Sequence, residues 1–136
     1  MREGGDFDLL KGTLSSRIYL KNLNVEAQNR LECHLEPLYS MLELAGMNGI
    51  YSLDHFNYMW KVLIKNHAHD SICGCSLDNV HKHMEDSYMR LDEVYHEMLN
   101  KGMEKAAEHM DIALYENNNY VIAVANTTEF KHSRLV

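Results

Sequence analysis

Proline is almost missing from this chain, with one residue among 136. Few positions therefore force a helix to break, and 46% hydrophobic with 24% charged residues is the balance of a globular chain, not a disordered one. Cations are also scarce. With 13 Lys and Arg against 20 Asp and Glu the net charge is −7, and no basic stripe occurs. That excludes nucleic acid and anionic membrane surfaces as expected partners, since both require clustered Lys and Arg. No apolar run reaches the roughly 18 to 20 residues of a membrane span. The opening MREGGDFDLL lacks the cationic-then-apolar layout of a secretory signal. The 3 cysteines, an odd number, do not make a disulfide framework. The expectation is one soluble, cytoplasmic domain.

What the sequence does have is apolar periodicity. Residues 1–14 are acidic, glycine-bearing and aperiodic, and read as a linker. From Ser15, the positions Leu20, Leu23, Ala27, Leu31, Leu35, Leu38, Leu42 and Ala45 recur at three or four, one face of a long helix that Gly46 should close. Pro37 lies inside it and removes a backbone donor, so a bend is expected near Glu36. Ser52 is placed to cap a second helix carrying Leu53, Phe56, Trp60 and Leu63/Ile64, ending near Lys65. Ser76 is placed to cap a third, whose stripe runs Val80, Met84, Tyr88, Leu91, Tyr95, Met98, Leu99, Met103, Ala106, Met110 and Ala113. Gly102 is a weak point in it, costing up to ~1 kcal/mol relative to Ala. The 9 methionines mostly belong to these stripes as core.

After Asn117 the period changes. YVIAVANTTEF, residues 120–130, is β-branched and apolar with turn residues behind it, and reads as a strand that needs partners to be stable. The expected architecture is all-α: an antiparallel three-helix bundle over residues 15–115, followed by a linker and the first strand of a β domain over 116–136.

Between the second and third helices lies NHAHDSICGCS, residues 66–76. His67 and His69 stand two apart and would project to opposite faces of an extended loop. A closed zinc site of His67, His69, Cys73 and Cys75 needs a tight fold-back, and Cys-x-Cys misses the usual gap. A single histidine could instead join metal ligands from distant segments, with Asp70 facing the same cleft. A purely structural turn is the third reading, with Cys73 and Cys75 packed as small apolar groups. A Cys-Gly-Cys redox pair is the weakest, because a disulfide over one residue is strained.

The segment NHAHDSICGCSLDNVH resembles the signature of the middle domain of glycoside hydrolase family 38, the zinc-dependent retaining α-mannosidases, and in particular their bacterial branch, which includes mannosylglycerate hydrolase. GTLSSRIYLKNLN (residues 12–24), LEPL (35–38) and MWKVLIKNHAHDS (59–71) are similar to family segments in the same order. In that family a catalytic β/α domain precedes a three-helix bundle, and large β domains follow.

The resemblance implies that His69 is one of four zinc ligands and that Asp70 hydrogen-bonds mannose hydroxyls at the subsite of cleavage. It gives His67 no role, and leaves Cys73 and Cys75 as packing or loop residues. The other zinc ligands, including the nucleophilic aspartate, belong to the family's N-terminal domain. The general acid is expected upstream of the SSR segment, where Asp6 and Asp8 are candidates without clean alignment. The implied partners are a small mannosyl saccharide and the rest of the same enzyme chain, with a homo-oligomer left open. A segment of this kind by itself is expected to be inactive. The rival reading is a freestanding helical interaction module with a structural His/Asp/Cys turn.

Overall fold

The computed structural model describes residues 12–47, 49, 53–111, 120, 122, 124–128, 130, 131 and 133. Helix α1 (Ile18–Asn29) runs through a π-helical segment (Arg30–Leu35) into α2 (Glu36–Leu44). Helix α3 (Leu53–Asn66), one short turn of helix α4 (His69–Ile72) and the long α5 (Asp78–Glu108) follow.

The bend expected at Pro37 takes the form of the π segment. The Glu36 N–H bonds the Leu31 carbonyl, five residues back, so the ladder is already displaced when it reaches the proline at the start of α2. An α ladder would aim the missing proline donor at Cys33 O. That oxygen accepts the Thr127 hydroxyl instead, at 2.9 Å. At the other end of α2 the chain stops as expected. Gly46 takes φ +82°, and the Met47 and Gly46 N–H groups bond Leu42 O and Glu43 O, the double bond of a Schellman stop.

The helices run up, down and up. Arg17, just before α1, pairs with Asp78 at the start of α5, while Tyr39 on α2 donates to Met98 O far along α5. The first and last helices are therefore parallel. Helix α3 opposes both: its first turns meet α2 through Phe56 against Tyr39, and its last residue, Asn66, meets Ser87 in the first turns of α5. Leu20, Leu31, Leu35, Met59, Leu63, Met84, Tyr88, Leu91, Tyr95 and Met98 form the core between them. The antiparallel bundle of neighbouring helices is thus confirmed. Among the described residues, no helix is long and apolar enough to cross a membrane.

Several local expectations need correction. Ser76 does not cap α5; Leu77 holds that position, without a side-chain bond, and the Ser76 N–H is directed back to Asp70 O at 3.1 Å. Val80 is exposed and His81 is buried in its place. The core phase is set by Met84, Tyr88, Leu91 and Tyr95, and stepping back from Met84 by three reaches His81. Ala45 is exposed. Helix α5 ends at Glu108, short of Met110. Gly102 keeps its propensity cost but has a packing role: it is buried, and a β-carbon there would stand 2.8 Å from Leu38 Cδ2, so the missing side chain lets α2 approach α5.

Ser52 and Ala113 lie outside the described residues, as do residues 121, 123 and 129 of the 120–130 stretch. The described residues of that last stretch belong to neither helix nor strand.

Candidate functional site

At the end of α3 the side chain of Asn66 is buried, with Nδ2 donating to Ser87 Oγ at 3.0 Å. This bond fixes where the chain leaves the bundle. The next residue, His67, turns toward α1, and its Nε2 lies 2.7 Å from Asn24 Oδ1, an oxygen that also accepts the Tyr88 hydroxyl at 3.1 Å. Ala68, at φ −49° and ψ 129°, breaks the helix and starts α4, on which His69 and Asp70 stand.

The turn is clamped from the side of α1. Lys21 Nζ donates to Ile72 O at 2.8 Å and to Ser16 O at 2.7 Å, and Ser16 Oγ donates to Gly74 O at 3.2 Å. Gly74 takes φ +81°, and a β-carbon on it would lie 2.8 Å from Ser16 Oγ. Glycine is required there both for the left-handed backbone and for the close approach. Arg17 itself holds φ 45°, a left-handed conformation costly for a side-chain-bearing residue. Its guanidinium reaches Asp78 Oδ1 at 2.5 Å. The SSR segment and the HDSICGCS segment, far apart in sequence, are therefore one structural unit.

On that platform the His69 and Asp70 side chains point outward, 87% and 61% exposed, with Nε2 to Oδ1 at 3.3 Å. The Asp70 carbonyl accepts the N–H groups of Cys75 and Ser76, both at 3.1 Å, which closes the turn. The Cys75 thiol lies 3.4 Å from Asp70 Oδ1. That hydrogen bond, aided by burial and by the carboxylate charge, pushes the thiol above its ordinary range. Cys75 is exposed and Cys73 half-buried, both free thiols, so the packed-cysteine reading fails for Cys75.

Chemically, this is an outward-facing imidazole beside an outward-facing carboxylate. His69 has the donor character and accessibility of a metal ligand, whereas the imidazole of His67 is bonded to Asn24. The residues fit a contribution of one ligand to a shared metal, not a closed site: among the described residues no group of three or more His, Cys, Asp or Glu is gathered to hold an ion. Asp6 and Asp8 lie outside the described residues. A separate groove of about 430 Å³ runs between α1 and α5 along Leu23, Arg30, Tyr88 and Tyr95, and none of the turn residues lines it. Sequence reading missed the clamp residues Ser16, Lys21 and Asn24. Gly74, a glycine between two cysteines, was the one local signal of a special backbone.

Comparison with known proteins supplies the context. The alpha mannosidase middle domain family matches residues 8–113. A Halalkalibacterium halodurans protein assigned as a mannosylglycerate hydrolase is 41% identical over 83 residues, which is 61% of this chain and 9% of that one. The crystal structure of a glycosyl hydrolase family 38 protein from Enterococcus faecalis superposes with a TM-score of 0.69 at 39% identity, over 76% of this chain and 12% of that one. An alpha-mannosidase from Enterococcus faecalis V583 gives the same score and identity over 11% of its chain. The chain thus spans about a tenth of the length of the relatives it matches.

Proposed function

Because the chain belongs to the alpha mannosidase middle domain family, we propose that it works as the helical domain of a longer retaining glycoside hydrolase that cleaves terminal α-mannosidic bonds in the cytoplasm. Its own contribution is one wall of the active site: His69 as a zinc ligand and Asp70 as an acceptor for mannose hydroxyls. The observation that carries this reading is the exposed His69–Asp70 pair on a turn clamped to the start of α1. Family membership also favours this reading over a freestanding interaction module.

The bound zinc would supply Lewis-acid polarisation and a fixed point for sugar hydroxyls. The chain's own residues bind and orient. His69 offers a neutral imidazole, Asp70 accepts hydroxyl protons in hydrogen bonds, and the clamp keeps both from swinging away as the ring distorts toward an oxocarbenium-like transition state. A retaining mechanism further needs two carboxyl groups roughly 5 to 5.5 Å apart, one as acid and one as nucleophile. The nucleophile is assigned to the catalytic domain of the longer enzyme, and Asp6 or Asp8 is the candidate acid. The substrate class is a small mannosyl saccharide, which includes a mannosylglycerate-like solute.

Hydrolysis of aryl α-mannosides and of mannosylglycerate by the full-length protein carrying this chain is the test. Turnover with retained anomeric configuration supports the reading, and residues 1–136 alone should show none. Failure on every α-mannoside, or chelator-sensitive turnover by the isolated chain, would overturn it.

A further inference from the structure

Asp70 does not stand alone on the turn. The φ of +81° at Gly74 reverses the chain so that Cys75 folds back over α4, its N–H on Asp70 O at 3.1 Å and its Sγ at 3.4 Å from Asp70 Oδ1. His69 Nε2 lies 3.3 Å from the same Oδ1. Both contacts fall on one carboxylate oxygen, which leaves Oδ2 for a hydroxyl. A carboxylate 61% exposed would otherwise exchange among rotamers, and an imidazole engaged in holding a metal can no longer restrain it. The Cys75 thiol is then the side chain of the turn that still does.

We propose that Cys75 is a positioning residue for Asp70, its thiol donating to Oδ1 so that Oδ2 is presented to a sugar hydroxyl. This rests on the sugar-binding role of Asp70 given above. Of the two Asp70 oxygens within reach of the thiol, Oδ1 at 3.4 Å and the carbonyl at 3.6 Å, the proposed role runs through the nearer, the carboxylate. A thiol is a weak donor, but its acceptor here is charged. The raised thiol range has the Asp70 hydrogen bond as its largest cause, so the donor proton stays on sulfur at neutral pH. Any modification that removes that proton or fills the space, such as alkylation, would release Asp70.

The test uses the full-length enzyme with Cys75→Ala and Cys75→Ser. Serine keeps a donor at nearly the same place and alanine removes it. The Ala variant should lose about three- to tenfold in kcat/KM with zinc content unchanged, and the Ser variant should return to within about twofold of the parent. Equal loss in both variants, or no loss in the Ala variant, overturns the proposal. A second arm reads the geometry without turnover: iodoacetamide should label Cys75 several-fold more slowly in the parent than in Asp70→Asn, followed by peptide mass spectrometry. Equal labelling rates overturn the proposal. If the parent hydrolyses no α-mannoside, the activity reading falls, and the labelling arm still decides whether the thiol and the carboxylate are in contact.

Discussion

The Ser16 hydroxyl donates to the Gly74 carbonyl oxygen at 3.2 Å, across 58 positions of sequence. This contact, with Lys21 bonded to both Ser16 O and Ile72 O, makes the entry to the first helix a support for the turn that carries His69 and Asp70. The clamp explains why two sequence segments with no chemistry in common stay together. One of them presents the site and the other holds it.

Gly74→Ala should therefore weaken both fold and function. The new side chain meets Ser16 Oγ at 2.8 Å on a backbone at φ +81°, and left-handed strain alone costs an alanine roughly 1–2 kcal/mol. Urea denaturation should show a loss of about 1–3 kcal/mol. Adding Ser16→Ala should recover only the steric part, because the backbone strain remains.

Gly102→Ala sets two effects against each other. Alanine improves helix propensity by up to ~1 kcal/mol, but its β-carbon would stand 2.8 Å from Leu38 Cδ2, and Leu38 is only 4% exposed with little room to move. Overpacking a tight helix contact costs typically ~1–3 kcal/mol, so the net change should be destabilising. Pairing it with Leu38→Ala should yield less than the sum of the two losses.

Tyr88 lies in the core with its hydroxyl on Asn24 Oδ1. Burial pushes its phenol up to about 12, against a smaller opposing pull from Asn66. A folded-state value above the unfolded one, near 10, means the stabilisation is complete below about pH 10 and is lost as pH rises toward 12. Thermal midpoints measured from pH 8 to 12 should stay level in this respect and then fall, and Tyr88→Phe should flatten the fall above pH 10.

How much of this was legible in the sequence depends on the length of the signal. Long apolar stripes gave the three helices because each repeats its period many times. Gly46 and Pro37 gave a stop and a bend, but not the π form of the bend, which depends on how the ladder re-registers. Helix α4 has 4 residues, too few for any period to appear. Residue type marks Ser76 as a cap, but α5 starts at Asp78 with Leu77 at the N-cap, which leaves Ser76 one position too early. His81 was passed over for Val80 because apolarity was followed instead of helical phase. The roles proposed for His69 and Asp70 come from resemblance, since spacing leaves four readings open. The Cys75 contact was not readable at all, because it follows from the backbone reversal at Gly74.

In the function proposed above, His69 contributes to a metal and His67 does not. Zinc content by elemental analysis of the full-length protein, for His69→Ala and His67→Ala beside the parent, tests it most directly. His69→Ala should lose much of the bound zinc and the hydrolase activity together, since removing one ligand weakens a shared site. His67→Ala, which breaks only the 2.7 Å contact to Asn24, should keep its zinc. A full complement of zinc in His69→Ala with an emptied site in His67→Ala would contradict the account and transfer the ligand role to the other histidine.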